Sequence, residues 1–471
     1  MTCRASIRLT AALLTWCAQS AAAEPEVRES FLRAAAQGNA LAEYNLGVMA
    51  ERGDGVPADR REAARWYRLA ADQGLATAQF NLGALYAEGF GTVRDPAEAE
   101  KWYRLAAEQG DADAQYNLGA MLANRPGTTK DIAQALHWFR LAAAQGKAVA
   151  DFSLAEIYSR GDGVPPDKAE AARWYLEAGR LGHRSAQRRL GDLYARGEGV
   201  PKCGAEAAHW WRQAAEQGDG VAQYNLGQLY FRGESGPPDK AEARRWYEQA
   251  AAQNVAEAAA GLGWMYARGD GVPRDPAKAV RWYRQAADLG LAEAQLNLGL
   301  LYAHGDGVPR NPAEAARWFR QAAEFGSAEA ATNLGLLCAQ GEGVPQDFAQ
   351  AEEWYRRAAE QGDARARYNL GVLYATGRGG ARDGREAARW FRIAAEQGYA
   401  PAMHNLAVSL LDQPPAEQDL VQACAWLMLA AEAGSAASRP TLDGLMARMS
   451  VEQIAATAKL EQELRLKLPA R

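Results

Sequence analysis

Hydrophobic and polar positions recur along the chain with a period of 36 residues. A tryptophan returns at every 36th position from Trp66 to Trp426, without an insertion or a deletion. A second column, always preceded by leucine, holds glycine in nine of the eleven units and alanine at Ala155 and Ala407. A tandem unit of this length indicates a helix pair, because propeller blades and β-solenoids would show β-branched alternation. The pattern predicts an all-α solenoid of eleven 36-residue helix-turn-helix repeats.

Cap and turn residues mark the ends of both helices in each repeat. In one clear copy, Asp275 suits the N-cap and Pro276 suits the first helical position, where its missing N–H costs nothing. Gly290 suits the left-handed conformation that ends a helix. A second helix is expected at residues 292–304, and Gly305 ends it in the same way. Helices joined by such short turns pack antiparallel, and neighbouring pairs must stack to bury their apolar faces.

The repeats are expected to occupy residues 24–434, and a helical cap is expected at 435–471. Ser450 and Gln453 have the spacing of a capping box and predict a final helix that ends near Leu466. Asn311 and Glu314 have the same spacing inside the solenoid. The final helix is rich in charge, which suits a terminal element whose outer face meets water.

The first 23 residues differ from the repeats. Arg4 and Arg8 form a short basic start, an apolar run follows at residues 9–18, and small residues stand at 21–23. This arrangement is typical of a cleaved secretory signal. We therefore expect residues 1–23 to be removed and the mature protein to be periplasmic or secreted.

Two segments resemble a known family of repeats. DPAEAEKWYRLAAEQG at residues 95–110 and GDGVPRDPAKAVRWYRQAADLG at 269–290 are similar to Sel-one-like repeats, which are relatives of the tetratricopeptide repeat. The resemblance covers residues 31–434. It implies a right-handed superhelical α/α solenoid in which the helix carrying the glycine column lines a concave groove. It also implies a scaffold role in the bacterial envelope, in secretion, in signalling or in host contact.

The composition narrows the possible partners. The chain is 48% apolar and 24% charged, with a net charge of −5, and removal of residues 1–23 would leave 51 basic against 58 acidic residues. Phosphate binding needs a concentrated basic surface, so we expect no nucleic-acid partner. No run approaches the 18 or so apolar residues of a membrane-spanning helix, so we expect no transmembrane segment.

Residues with reactive side chains form no pattern that is typical of a catalytic or metal site. The five histidines share no spacing, and no metalloprotease, serine-hydrolase or P-loop motif is present. Cys203, Cys338 and Cys424 lie many repeats apart, so we expect no disulfide between them. Some relatives in the resembled family are linked to β-lactam hydrolysis and carry paired cysteines in each repeat, which this chain lacks. We expect a non-enzymatic protein without catalytic residues, metal or cofactor.

The tryptophan column belongs to the core in our interpretation. An aromatic ladder for sugars or peptides is the alternative. Trp282 is followed by Ala286 and Ala287, so its side of the helix is an apolar stripe of the kind that packs in a core.

The helix that carries the glycine column offers a second face. We number each repeat from its column residue as position 0. At 100° per residue, the apolar residues at −1, +2 and +3 lie on the core side, whereas −6, −3, −2, +1 and +5 lie on the opposite side. Asparagine occupies position −2 in eight repeats: Asn45, Asn81, Asn117, Asn225, Asn297, Asn333, Asn369 and Asn405. An amide that donates and accepts matches the backbone of an extended peptide. Alternatively, each asparagine serves its own repeat.

Positions −3 and +1 change character along the chain. They are aromatic or apolar in the early repeats and charged at Glu156, Arg188 and Asp192. Apolar residues return in the later repeats: Trp264, Leu296, Leu300, Leu336, Tyr368 and Val372. Such a strip is typical of a peptide groove, since soluble monomers rarely leave one bare. Partial cover by adjacent helices is the alternative.

Together, these features predict a non-enzymatic protein-interaction scaffold of the bacterial cell envelope or the secreted space. It would hold a partner protein or an extended peptide in its concave groove. The alternative is a factor associated with envelope polysaccharide or peptidoglycan, with or without hydrolase activity.

Overall fold

The computed structural model describes residues 25–125, 129–411 and 417–469, and the expected signal at 1–23 lies outside these ranges. Within them the chain forms 25 α-helices and no strand, so the predicted all-α class is confirmed. The expected division at residues 24–434 and 435–471 stays a prediction.

Two sets of eleven helices alternate along the repeats. Those with the glycine column are called asparagine helices here: α2 (Ala40–Arg52), α4 (Ala76–Glu88), α6 (Ala112–Asn124), α8 (Ala148–Arg160), α10 (Arg184–Arg196), α12 (Gly220–Arg232), α14 (Ala256–Arg268), α16 (Ala292–His304), α18 (Ala328–Gln340), α20 (Ala364–Thr376) and α22 (Ala400–Leu411). Those with the tryptophan column are called tryptophan helices: α3 (Arg60–Asp72), α5 (Pro96–Glu108), α7 (Thr129–Ala144), α9 (Lys168–Arg180), α11 (Gly204–Glu216), α13 (Lys240–Ala252), α15 (Pro276–Asp288), α17 (Pro312–Glu324), α19 (Phe348–Glu360), α21 (Gly384–Glu396) and α23 (Glu417–Glu432). Helix α1 (Pro25–Ala35) precedes the repeats, and α24 (Ser438–Met446) and α25 (Val451–Lys467) follow them.

The helices form two compact units. One comprises the described residues up to Ala222 together with Glu234–Gly236, and the other comprises Gln223–Gly233 and the described residues from Pro237 onward. Within each unit, asparagine helices pack against the tryptophan helices that follow them, and these pack against the next asparagine helices. This order of neighbours is that of a solenoid.

The helix ends agree with the cap and turn prediction. The Asp275 side chain accepts a hydrogen bond from the backbone N–H of Lys278 at the start of α15, 3.0 Å away. Gly290 follows α15 with φ of 90°, and Gly305 follows α16 with φ of 77°. The N–H of Gly305 donates to the carbonyl of Leu301, so the left-handed residue closes the helix as expected.

The two predicted capping boxes have different outcomes. Ser450 and Gln453 exchange both hydrogen bonds at the start of α25, which confirms the first. At α17, Asn311 accepts from the N–H of Glu314 at 3.1 Å, but the Glu314 carboxylate instead pairs with Arg317 at 3.4 Å. The second prediction was therefore half wrong, because the Asn311 N–H donates to the carbonyl of Tyr302 at 2.8 Å and a neighbouring cation takes the glutamate.

The glycine column marks the closest approach between the two helices of a repeat. A Cβ at Gly299 would stand 2.6 Å from the ring of Phe319, and one at Gly263 would stand 2.8 Å from the ring of Tyr283. Neither distance is possible without displacing the buried ring. Of the two alanines in this column, Ala407 stands opposite Leu427, which replaces the ring, whereas Ala155 stands opposite the ring of Tyr175.

The tryptophan column lies mainly in the core. Trp318 is 3% exposed and Trp102 is 4% exposed. The indole Nε1 of Trp102 donates to a carboxylate oxygen of Glu98, one turn earlier, at 3.0 Å. The indole is thus buried while its polar atom keeps a partner, and the core interpretation of this column is confirmed.

Candidate functional site

The later asparagine helices present the predicted apolar face. Leu336 in α18 is 37% exposed, whereas Trp264, Leu296 and Leu300 are half-buried and pack against the core of the same unit. Tyr368 and Val372 in α20 are also half-buried and pack against a neighbouring part of that core. These residues, at positions −3 and +1 of successive asparagine helices, keep part of their apolar surface exposed to solvent.

Trp264 is the largest side chain on this face. Its ring meets that of Phe231 edge to face, with the centroids 5.5 Å apart. The guanidinium of Arg268 lies over the indole, 5.3 Å from the ring centroid. These contacts hold the indole in place while it stays half-exposed.

The aromatic residues at position −3 pack on rings of the tryptophan helices. Tyr44 lies 5.8 Å from Tyr67 between ring centroids, and Tyr368 lies 5.8 Å from Phe391. Tyr368 also contacts Tyr399, at 5.4 Å. Neighbouring helices therefore partly cover these tyrosines, which is the alternative that the sequence left open.

The asparagine column lies at the border of the core and contacts neighbouring tyrosines. Burial raises the pKa of Tyr44, and a side-chain hydrogen bond with Asn81 opposes the rise. Burial also raises the pKa of Tyr103, opposed by a side-chain hydrogen bond with Asn117. The Nδ2 of Asn405 lies 3.5 Å from the Tyr368 hydroxyl, at the limit of a hydrogen bond.

The other asparagines share this border position. Asn333 is 8% exposed, and its Oδ1 accepts a hydrogen bond from Arg365 at 2.7 Å. The remaining four are half-buried: Asn45, Asn225, Asn297 and Asn369. Several members of the column thus serve contacts within the protein, and peptide binding by the column stays a prediction.

The charged middle of the face is neutralised internally. Glu156 accepts a hydrogen bond from the Tyr175 hydroxyl at 2.5 Å and pairs with Arg189 at 3.4 Å. Asp192 accepts a hydrogen bond from Trp211 Nε1 at 3.1 Å, and burial raises the pKa of this carboxyl. These residues are engaged with one another, so they interrupt the apolar strip instead of extending it.

A row of buried glutamines at position −4 was not foreseen. Gln79 Nε2 donates to the carbonyl of Ala71 at 3.1 Å, and Gln79 Oε1 accepts from Gln109 Nε2 at 2.7 Å. The glutamine pair recurs in three further repeats: Gln115–Gln145, Gln187–Gln217 and Gln223–Gln253. We call this arrangement the glutamine ladder. Its signal in the sequence is a pair of glutamines 30 residues apart that recurs with the repeat.

At two places a buried polar residue at position −4 faces an apolar residue instead of a second glutamine. Leu181 replaces it opposite Asp151, which is 3% exposed, and burial, with a smaller contribution from Glu177, raises the pKa of Asp151 to about 6. Phe325 replaces it opposite Gln295, whose buried Oε1 has no hydrogen-bond partner among the described residues. Both replacing residues are apolar and exposed: the exposed fraction is 53% for Leu181 and 68% for Phe325.

Of the five cysteines in the sequence, the three that the structure describes, Cys203, Cys338 and Cys424, are free thiols. Burial raises the pKa of Cys338 and of Cys424, which disfavours the reactive thiolate. In the part of the chain that the structure describes, no three histidine, cysteine or carboxylate side chains are placed to hold a metal ion. None of the described helices has the length and hydropathy needed to cross a membrane.

Comparisons with known proteins agree with the repeat architecture. A crystal structure of a protective antigen present in uropathogenic Escherichia coli strains, which displays an SLR fold, is 34% identical; the match covers 93% of this chain and 94% of that chain with a TM-score of 0.79. A Sel1 repeat protein from Oxalobacter formigenes is 30% identical over 73% of this chain and 89% of that chain, with a TM-score of 0.44. A comparison with curated protein sequences found no match.

The Sel1 repeat model matches the chain eleven times in succession: at residues 40–75, 76–111, 112–147, 148–183, 184–219, 220–255, 256–291, 292–327, 328–363, 364–399 and 400–435. These matches have the 36-residue period of the sequence and leave no gap between repeats. The chain therefore belongs to the Sel1 repeat family.

Proposed function

We propose that this Sel1 repeat protein is a non-enzymatic scaffold that binds a partner protein or an extended peptide on its asparagine helices. The observation that carries the proposal is the apolar strip formed by Trp264, Leu296, Leu300 and Leu336 on three successive asparagine helices. Trp264, Leu296 and Leu300 keep exposed apolar surface although they pack against the core, and Leu336 is 37% exposed. Removing that surface from water is the main source of affinity available here.

The strip suits an extended occupant. The same positions recur on each asparagine helix, 36 residues apart along the chain, so an extended segment crossing the helices would meet an apolar side chain in each repeat. Tyr368 and Val372 continue the strip on the next asparagine helix. The fixed repeat provides a rigid surface, which lowers the entropic cost of binding.

The proposal includes export of the protein. Its support is the sequence of residues 1–23, with a basic start, an apolar run and small residues before Glu24. The similar E. coli protein is described as a protective antigen, and we propose a location outside the cytoplasm for this chain. Mass spectrometry of the protein purified from its native compartment should give a mature chain that begins at Glu24. An uncleaved chain in the cytoplasm would contradict export.

Binding to envelope polysaccharide or peptidoglycan requires a different surface. An ordered row of exposed aromatic rings flanked by carboxylates would favour it. The position −3 rings of Tyr44, Phe80, Tyr116 and Phe152 instead each pack on a ring of the following tryptophan helix. Protein or peptide binding is the function better supported by these contacts.

The experiment is cross-linking in the native compartment, followed by mass spectrometry of the captured proteins. We expect the combined change Trp264→Ala and Leu300→Asp to abolish capture of the specific partner. The matched control is Leu289→Asp with Phe325→Ala, which alters two exposed apolar residues away from the strip, 43% and 68% exposed. Unchanged capture by the first variant, with its circular dichroism spectrum retained, would overturn the proposed function.

A further inference from the structure

Three glutamates lie on the same side of the asparagine helices as the apolar strip. Glu257 in α14, Glu293 in α16 and Glu329 in α18 occupy position −6, and all three are exposed. The apolar strip occupies positions −3 and +1 of the same helices. The carboxylates and the apolar side chains are therefore presented to one side of the protein.

These glutamates lack the ion pair that the equivalent carboxylate of another repeat makes. At the equivalent position of α6, Asp113 pairs with Nζ of Lys147, 34 residues later, at 2.7 Å. Leu291, Ser327 and Asp363 stand 34 residues after the three glutamates. None of the three glutamates forms an ion pair with another described residue. Their charge is thus available to an external cation.

Helix capping explains only part of this row. Carboxylates in a first helical turn interact favourably with the helix dipole. The N-cap residues of α14 and α16, Val255 and Leu291, make no side-chain cap hydrogen bond, so a glutamate there has a structural use. Helix α18 is already capped by Ser327, whose Oγ accepts from the N–H of Ala330 at 3.3 Å, and still carries Glu329.

Asn333 holds Arg365, a cation of the next asparagine helix, at the edge of this face. It stands at position −2 of α18, on the side of the strip and the glutamates, and is 8% exposed. Arg365 satisfies its Oδ1, whereas its Nδ2 has no hydrogen-bond partner among the described residues. This Nδ2 is buried as well, so it offers no donor to an external segment, and recognition at this face rests on the apolar strip and the glutamates.

On α14, α16 and α18 themselves the basic residues stand at the other ends of the helices, whereas Arg365 of α20 reaches the face through its contact with Asn333. Arg268 and His304 stand at position +5 and are exposed, and the Arg268 guanidinium lies over Trp264. The face is therefore bordered by carboxylates on one side and by basic residues on the other. A bound segment would direct its cations toward the glutamate side.

We propose that this face of α14, α16 and α18 binds a protein segment that combines apolar side chains with lysines or arginines. The inference rests on the proposed function and adds the chemistry of the partner. The apolar strip buries the aliphatic or aromatic side chains, and the unpaired carboxylates attract the cations.

The test uses the full mature chain and three labelled peptides of equal length, in which leucine alternates with lysine, glutamate or glutamine. Fluorescence polarisation measures the three affinities at moderate salt. We expect the lysine peptide to bind about tenfold or more tighter than the glutamine peptide, and the glutamate peptide to bind weakest. The difference in affinity between the lysine peptide and the glutamine peptide should shrink as salt increases, because exposed charges are screened.

The decisive variant is Glu257→Gln with Glu293→Gln and Glu329→Gln. Its matched control is Glu353→Gln with Glu396→Gln and Glu463→Gln, which removes as many exposed carboxylates elsewhere in the same unit. We expect the first variant to lose the preference for lysine and the control to keep it. An equal loss in both variants would mean attraction to net charge alone and would overturn the proposal.

A substitution in the apolar strip distinguishes failure of this inference from failure of the proposed function. Leu336→Ser should weaken the lysine and glutamine peptides alike, whereas Val451→Ser, at an exposed position of α25, should leave both unchanged. A glutamine peptide that binds as tightly as the lysine peptide, and depends on Leu336, would overturn the charge inference and leave the proposed function standing. No peptide binding at all would overturn the inference, and capture of the native partner would then decide the proposed function.

Discussion

Gln109 donates a hydrogen bond through its Nε2 to Oε1 of Gln79, 2.7 Å away, and so joins the end of tryptophan helix α5 to asparagine helix α4 of the same repeat. Gln79 Nε2 in turn donates to the carbonyl of Ala71 in the preceding repeat, at 3.1 Å. Gln79 is 4% exposed, so its amide depends on protein partners. The ladder therefore connects successive repeats through polar groups that lie beside a core of alanine, leucine and aromatic residues.

We predict that Gln109→Leu destabilises the protein by about 1 kcal/mol, because the buried Gln79 oxygen loses its donor. The measurement is a urea unfolding transition followed by circular dichroism. Gln249→Leu, at an exposed glutamine of α13, is the control and should change stability little. A double-mutant cycle with Gln79→Leu should show coupling between the two sites, and strict additivity would contradict a direct interaction.

Asp151→Asn is predicted to stabilise the protein at neutral pH. The folded-state pKa of Asp151 is about 6, above the ordinary value of 3.8, because burial and Glu177 disfavour the carboxylate. The folded state therefore binds this proton more tightly than the unfolded state. The resulting stability is complete below the unfolded pKa and is lost as pH rises through about 6. Removing the charge should add about 2 kcal/mol at neutral pH.

Urea unfolding on both sides of this pH range checks the prediction. The advantage of Asp151→Asn should be large near neutral pH and should vanish at about pH 4. The matched control is Asp162→Asn, which removes an exposed carboxylate in the turn after α8. An advantage of Asp151→Asn that does not depend on pH would show that packing, not ionisation, limits stability at this site.

The repeat could be predicted from sequence because its signals are local. Gly290 and Gly305 end their helices by adopting positive φ, and Asp275 caps α15, each through contacts within a few residues. Helix α24 (Ser438–Met446) was not predicted, because it lies after the last column and has no side-chain cap hydrogen bond at its start.

The exposed surface at positions −3 and +1 of the asparagine helices could be predicted only in part, because its contacts join residues of different helices. The helical projection placed Trp264 and Leu336 on the outward side, where the structure also leaves them partly exposed. It placed Tyr44 on that side as well, although Tyr44 packs on Tyr67 and is 7% exposed. One helix considered alone contains no information about the neighbour that covers it.

Gly299→Ala is predicted to destabilise the protein by about 1–3 kcal/mol, as overpacking does in a filled core. The added Cβ would stand 2.6 Å from the Phe319 ring, which is 2% exposed and has little room to move. Urea unfolding measures the cost. Adding Phe319→Leu should recover part of it, since the last repeat combines Ala407 with Leu427 at these two positions.

Gly384→Ala is the control for the glycine column. No heavy atom of another residue lies within 4 Å of a Cβ built there, and Gly384 begins helix α21. This change should leave stability unchanged or raise it slightly, because alanine favours the helix. Equal destabilisation by Gly299→Ala and Gly384→Ala would show that steric contact with the ring is not the cause.

Trp318→Ala and Trp264→Ala should separate the structural tryptophans from the binding one. Trp318 is 3% exposed in α17, so its truncation leaves a cavity and should cost about 3–5 kcal/mol. Trp264 is half-buried in the apolar strip, and its truncation should cost about 1–2 kcal/mol. Urea unfolding gives both values, and partner capture is measured under conditions where each variant is folded. We expect Trp318→Ala to retain capture and Trp264→Ala to weaken it. The reverse order of effects on capture would mean that the partner contacts the tryptophan helices, and that the apolar strip on α14 is not the binding surface.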